Sequence, residues 1–229
     1  MDVYEKLINQ FENLTEKEKN SLLIYKSRLG IGINYLDNNE DELKNLYSDY
    51  QKLLNNPSNL FMKMTVFKDL PLNDFEKFKN YLHQIKNEVE ELSTKLILDE
   101  DITVFRAVSI KEDEVLKPVS KSEIVSTSID INKALKFFIQ SEGYKHYLYQ
   151  INLEKGSSVA ICPYAILFNF ETNQITLTHK TDQQEIILNK NKYEFNESIS
   201  TTTKLKDGKN INIIVIDAKS SVKNNEITK

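Results

Sequence analysis

Three short stretches carry side chains suited to handling a charged ligand, and they follow one another in a fixed order. Arg106, in Phe105-Arg106-Ala107, closes an apolar, β-branched run. A guanidinium on a strand facing a cleft can grip a phosphate or a ribose through a forked pair of donors. Taken alone, a strand arginine is more usually a solvated or salt-bridged residue. Ser126-Thr127-Ser128 lies in the next such run. Side chains alternate across a strand, so two of these hydroxyls share one face and the third points the other way. Hydroxyls on an inner face can orient a carboxylate or bind a ligand, and a polar edge strand would look the same. Asp182-Gln183-Gln184-Glu185 leads into the apolar run Ile186-Ile187-Leu188. A period of two predicts Gln183 and Glu185 on one face, able to reach one ligand from the mouth of a cleft. A charged strand start is the plainer reading of that stretch.

These groups need a scaffold, and hydrophobic periodicity outlines it. The first 98 residues read as helices. Val3, Leu7, Ile8 and Phe11 recur at helical spacing. Thr15 and Glu18 form a capping box that starts a second helix, which runs toward Tyr25 and is expected to stop near Gly30 or Gly32. Residues 41–54 form another helix, broken by Asn56-Pro57. Residues 72–98 form the longest, with Phe75, Phe78, Leu82, Ile85, Val89 and Leu92 on one stripe. From residue 99 the pattern changes to β-branched and aromatic runs at 102–108, 123–129, 147–153, 158–162, 174–178, 185–188, 193–198 and 211–216. A single helix at 131–140 interrupts them. Helices first and strands second predict an α+β domain spanning 1–229: a helical N-terminal region (1–98) packed on a β-rich core (99–218), and a polar tail (219–229).

Composition excludes several classes. With 229 residues the chain can bury a core without staples, and 40% apolar against 28% charged residues is a globular balance. Its 30 basic and 34 acidic residues give a net charge of -4, which argues against non-specific nucleic-acid binding. Cys162 is the only cysteine, which excludes an internal disulfide framework and a cysteine-rich zinc site. It is expected in the core. His83, His146 and His179 lack ligand spacing, so no metal is expected. No apolar run reaches the roughly 18 residues of a membrane span, and the first residues carry no secretory signal pattern. A cytoplasmic protein, or one delivered by a non-classical route, is expected. Nothing in the pattern calls for more than a monomer.

The ordered set of motifs resembles the mono-ADP-ribosyltransferases of the arginine–serine–glutamate group, which includes bacterial exoenzyme toxins and phage enzymes. Ser126-Thr127-Ser128-Ile129-Asp130, followed by Ala134 and Phe137, is similar to the family's Ser-Thr-Ser strand and the helix after it. Leu153-Glu154-Lys155-Gly156-Ser157 resembles its Pro-Lys-Gly-Thr turn, with Glu154 where proline is common. Glu185-Ile186-Ile187-Leu188 and Tyr193-Glu194-Phe195 resemble the strand bearing the catalytic glutamate and the one after it. Leu14-Thr15-Glu16-Lys17-Glu18, Tyr25 and Ile33-Asn34-Tyr35-Leu36 resemble the N-terminal helices.

The resemblance covers about residues 12–217 and implies N-terminal helices on a two-sheet β core. It also implies an enzyme that cleaves NAD at the nicotinamide–ribose bond and moves ADP-ribose to a side chain of a host-cell protein, GTPase-like or other, as a toxin or phage effector. NAD is then a substrate, and neither a metal nor a glycine-rich phosphate loop is required. Arg106 would hold the pyrophosphate. Glu185 would stabilise positive charge on the ribose, as carboxylates do in glycoside hydrolysis. Ser126 would orient Glu185 and the sugar, while Thr127, Ser128 and Phe137 would shape the nicotinamide pocket. Relatives with Glu-x-Glu modify arginine; Gln183 in the first position, as in clostridial exoenzymes acting on an asparagine, favours Asn or Gln as acceptor. The loop 170–182 would recognise the target through an exposed Phe170 or His179, although Phe170 reads equally well as a core residue. Some relatives carry an arginine between 137 and 146, where this chain offers only Lys136 and Lys145 nearby. Two other readings use the same residues: an NAD glycohydrolase, and a non-catalytic relative that binds a partner.

Overall fold

The computed structural model describes residues 2–27, 29–36, 39–54, 70–116, 124–169, 174–179, 184–189 and 192–220. Five helices come first: α1 (Val3–Glu12), α2 (Glu16–Lys26), α3 (Leu29–Tyr35), α4 (Glu40–Leu54) and α5 (Phe75–Leu92). Strands follow: β1 (Leu96–Ile97), β2 (Ile102–Lys111) and β3 (Ile124–Ser128), then the short helix α6 (Ile131–Leu135). The remainder is β4 (Tyr144–Leu153), β5 (Ser158–Val159), β6 (Tyr164–Asn169), β7 (Gln174–His179), β8 (Glu185–Asn189), β9 (Tyr193–Lys204) and β10 (Asn210–Ser220). The chain is therefore α+β, as its periodicity predicts. Among the described residues no helix is long and apolar enough to cross a membrane.

The chain divides into two compact units. One comprises Met1–Gln10, Ser93–Ile161 and Asp182–Lys229. Its centre is a six-stranded mixed sheet in the order β8-β3-β2-β4-β10-β9. β2 lies antiparallel to β4, with Arg106 opposite Tyr149, and β4 runs parallel to β10. β3 meets β2 at the pair Phe105–Ser128 and lies antiparallel to β8 along its whole length. β1 and β5 pair separately, with Leu96 opposite Val159, and Ala160 bridges to Ile187 of β8. All five residues of β8 are buried, as are Val104, Val125, Leu148, Ile151, Ile214 and Ile216. These alternating apolar side chains drive the sheet together. Ala134 and Phe138 pack with Leu148 and Ile211 in a smaller cluster.

The other unit comprises Phe11–Leu92 and Cys162–Thr181. Thr15 caps α2: its hydroxyl accepts from the Glu18 amide, and the Glu18 carboxylate accepts from the Thr15 amide at 2.7 Å. On α5, Phe78, Leu82, Ile85 and Val89 are buried on one stripe, as the spacing predicts. Ser21 of α2 and Gln84 of α5 both donate to Glu88, which Lys17 also pairs at 2.9 Å. These donors and Lys17 hold the Glu88 carboxyl below its ordinary range, although burial is the largest single influence and acts upward.

Several boundaries depart from expectation. α2 ends at Lys26, not at Gly30 or Gly32, and both glycines lie inside α3. They are there for close approach. A Cβ on Gly30 would sit 1.9 Å from the Tyr25 carbonyl oxygen, and one on Gly32 2.6 Å from Leu46. The long helix stops at Leu92 rather than 98, because Leu96 and Ile97 pair with β5 and the side-chain amide of Gln10 satisfies the Ile97 backbone at 2.8 and 2.9 Å. α6 ends at Leu135 rather than 140, since Phe138 turns inward to its cluster. β6 has no counterpart in the sequence pattern, and β9 continues six residues past 198. Asn56, Pro57 and the tail beyond 220 lie outside the described residues.

Gly30→Ala is expected to destabilise the chain by about 1–3 kcal/mol, since the clash is with backbone. Thr15→Ala should cost about 1 kcal/mol through the lost cap. Urea unfolding midpoints of the two variants check both values.

Candidate active site

β3 and β8 bring the hydroxyl run against Glu185. In the antiparallel ladder Ser128 stands directly opposite Glu185, and Ser126 opposite Ile187. The period of two puts Ser126 and Ser128 on the Glu185 face, and diagonal neighbours on one face are within reach of a long side chain. Ser126 Oγ accordingly donates to Glu185 Oε1. Thr127 faces the other way, buried, with its hydroxyl donating to the Ile186 carbonyl at 2.8 Å. Ser128 Oγ accepts from the Asp130 amide at 3.1 Å, and Asp130 caps α6 by accepting from the Asn132 amide at 2.8 Å. The three hydroxyls thus do three different things: one meets the carboxylate, one ties β3 to β8, and one shapes the turn into α6.

Arg106 enters from β2. Its Nη1 donates to the Ser126 carbonyl at 3.2 Å, and the side chain is half-buried. Guanidinium, serine and glutamate therefore form a connected set: Arg106 on the Ser126 backbone, Ser126 on the Glu185 carboxylate. Glu185 is only 6% exposed. A buried carboxylate needs hydrogen-bond donors, and the Ser126 hydroxyl is one. Tyr149, opposite Arg106, is almost fully buried. Burial pushes its hydroxyl up to about 12, with Glu197 adding to the rise and Arg106 opposing it. Sequence alone does not single it out, since it is one tyrosine in an aromatic run; only the register with Arg106 marks it.

The backbone just before Glu185 is not extended. Gln184 has φ of 46°, the left-handed region, and β8 begins only at Glu185. β8 therefore begins at Glu185, directly after a left-handed residue. The Gln184 carbonyl accepts from the Ile129 amide at 3.2 Å, fixing this turn against the end of β3. A non-glycine residue here is uncommon and holds local strain, which clusters at functional positions. Gln183, Asp182 and Phe170 lie outside the described residues, as does the His179 side chain.

The remaining expected residues are placed as follows. Phe137 follows α6 and is 58% exposed. Lys136 caps the end of α6, and Lys145 Nζ donates to the Glu112 carbonyl. The Leu153–Ser157 turn is tight, with Gly156 at φ 86° and its amide on the Leu98 carbonyl at 2.8 Å. Cys162 is buried, as expected.

Chemically, a buried carboxylate beside a hydroxyl, linked to a fixed guanidinium, can stabilise positive charge developing on a bound sugar whose phosphates the guanidinium holds.

Gln184→Val should lower stability by about 1–2 kcal/mol, because a β-branched residue tolerates left-handed backbone poorly. Gln184→Gly should stay within about 1 kcal/mol of the parent. Thermal unfolding of the pair separates a backbone requirement from a side-chain one.

No protein-family model and no curated protein matches the chain. Solved structures do. Plx2a, an ADP-ribosyltransferase toxin from Paenibacillus larvae, matches over 94% of this chain and 92% of its own, at 11% identity and a TM-score of 0.50. The ADP-ribosyltransferase Vis toxin from Vibrio splendidus matches over 97% of this chain and 85% of its own, at 13% identity and a TM-score of 0.47. An ADP-ribosyltransferase from Clostridium botulinum matches over 96% of both chains, at 12% identity and a TM-score of 0.47. At these identities the likeness is one of fold, and the match to Plx2a carries it: the chain has the fold of an ADP-ribosyltransferase toxin.

Proposed function

We propose that the protein is an NAD-dependent protein mono-ADP-ribosyltransferase that acts as a toxin or effector on a host-cell protein. The observation that carries the reading is the hydrogen-bonded chain from Arg106 through Ser126 to Glu185. Such a chain supplies what cleavage of NAD needs. Arg106 binds the pyrophosphate and fixes the dinucleotide. The bond between C1 of the ribose and the pyridinium nitrogen breaks, and its electron pair leaves with nicotinamide. Positive charge then spreads over C1 and the ring oxygen. Glu185, accepting from a ribose hydroxyl, stabilises that charge more in the transition state than in bound NAD. The lone pair of the acceptor heteroatom bonds to C1, and its proton passes to solvent. Ser126 keeps the carboxylate aimed, and Thr127, by tying β3 to β8, holds the two strands in register.

Gln183 is assigned to acceptor choice. A guanidinium is charged at any ordinary pH and favours a carboxylate partner. A primary amide offers an acceptor and two donors and suits a neutral amide acceptor, so Asn or Gln is favoured over Arg. Phe137, exposed after α6, is assigned to the nicotinamide side of the site.

Glu185→Gln keeps the shape and removes the charge. Transfer of radiolabel from NAD to protein in host lysate should fall about 10²–10³-fold, with thermal unfolding near the parent's. Undiminished transfer would refute the assignment of Glu185. Label released from NAD but never protein-bound would identify a glycohydrolase instead. Gln183→Glu should move labelling toward arginine; unchanged sites by mass spectrometry would remove Gln183 from acceptor choice.

A further inference from the structure

Arg106 has a neighbouring strand on either side. On one side β3 meets β2 at the pair Phe105–Ser128, and the Ser126 carbonyl accepts from Arg106 Nη1 at 3.2 Å. On the other side β4 sets Tyr149 directly opposite Arg106, and β10 sets Ile214 directly opposite Tyr149. Residues opposed in register lie on one face of a sheet. Across an antiparallel pair their Cβ atoms are about 4.5–5.5 Å apart. Arg106, Tyr149 and Ile214 therefore form one row across three strands. Tyr149 is 2% exposed and Ile214 5%, so the ring is closed in with little room to turn away. Arg106, half-buried, stands at the open end of the row.

A long cationic side chain loses rotamer freedom when it grips a ligand, and that loss weakens binding. A neighbour that restricts the stem beforehand removes part of the loss. A tyrosine ring suits this task, because it is rigid and offers a broad surface with few torsions of its own. The Ser126 carbonyl holds the guanidinium from the β3 side, and the Tyr149 ring flanks the stem from the β4 side. Burial alone does not call for a tyrosine here. Val104, Ile151 and Ile216, in the next row on the same face, are aliphatic and fully buried. Electrostatics also places the two side chains near each other. Burial pushes the Tyr149 hydroxyl up, and the Arg106 charge opposes that rise.

We propose that Tyr149 is a positioning residue whose ring confines the Arg106 stem, so that the guanidinium is already ordered when the pyrophosphate of NAD reaches it. The proposal rests on the transferase reading for its ligand but not for the contact itself. Tyr149 acts through Arg106 on affinity for the dinucleotide. Bond cleavage beside Glu185 does not pass through it.

Arg28 and Arg106 are the only arginines of the chain. Isotope labelling of arginine in the full chain therefore gives two side-chain Nε–Hε signals by NMR, assigned with Arg28→Lys. Without NAD, the Arg106 signal should be displaced by the ring current in the parent and in Tyr149→Phe. In Tyr149→Leu it should move to the position of a solvent-exposed arginine. A nuclear Overhauser contact between the Arg106 stem and the Tyr149 ring is expected in the parent and depends on no variant. KM for NAD should rise about two- to tenfold in Tyr149→Leu, the range for ordering one long side chain on binding, with kcat moving less. Tyr149→Phe should keep the parent KM. Absence of the Overhauser contact, an Arg106 signal unmoved in a folded Tyr149→Leu, or an unchanged KM in that variant would overturn the proposal. If the parent consumed no NAD, the transferase reading would fail while the arginine signals still decided the contact.

Discussion

A carboxylate at 6% exposure is tolerable only where a donor meets it, and the Ser126–Glu185 hydrogen bond is that meeting. The rest of the sheet can be understood as what holds this one contact in register. The β3–β8 ladder sets Ser128 opposite Glu185 and leaves Ser126 on the diagonal. A slip of one residue would turn both serines away and present Thr127 instead. The Thr127 hydroxyl on the Ile186 carbonyl resists that slip, because it ties the middle of β3 to the residue after the glutamate. The all-buried β8 resists it further, since its apolar residues have nowhere else to go.

Arg106 adds the second constraint. By donating to the Ser126 carbonyl it ties the guanidinium to the strand that aims the carboxylate. Gln184 adds the third. Its left-handed backbone makes β8 begin abruptly at Glu185, with the preceding turn pinned to the end of β3 through Ile129. The carboxylate is thus the first residue of a strand buried along its whole length, which suits a group that must not reorganise during a reaction.

How far this is legible in the sequence depends on the range of the interaction involved. Local signals are readable. Thr15 and Glu18 are three residues apart and form the expected capping box. Ser126-Thr127-Ser128 alternates as a strand must, and the apolar stripe of α5 faces inward. Signals set by distant partners are not. Gly30 and Gly32 look like helix stops until Tyr25, Leu46 and Leu82 are seen to crowd them. Leu96 and Ile97 extend a helical pattern until Val159 and Gln10 claim them. The left-handed backbone at Gln184 has no glycine to announce it. The cross-strand pair of Arg106 and Tyr149 joins two separate stretches of chain and has no local signature at all.

The central claim is that Arg106 and Glu185 act on one dinucleotide. A crystal structure with an unreactive NAD analogue tests it most directly. The account predicts Arg106 on the pyrophosphate and Glu185 within about 2.6–3.2 Å of a hydroxyl of the nicotinamide ribose. A dinucleotide bound elsewhere, or one whose ribose lies beyond the reach of Glu185, would contradict it.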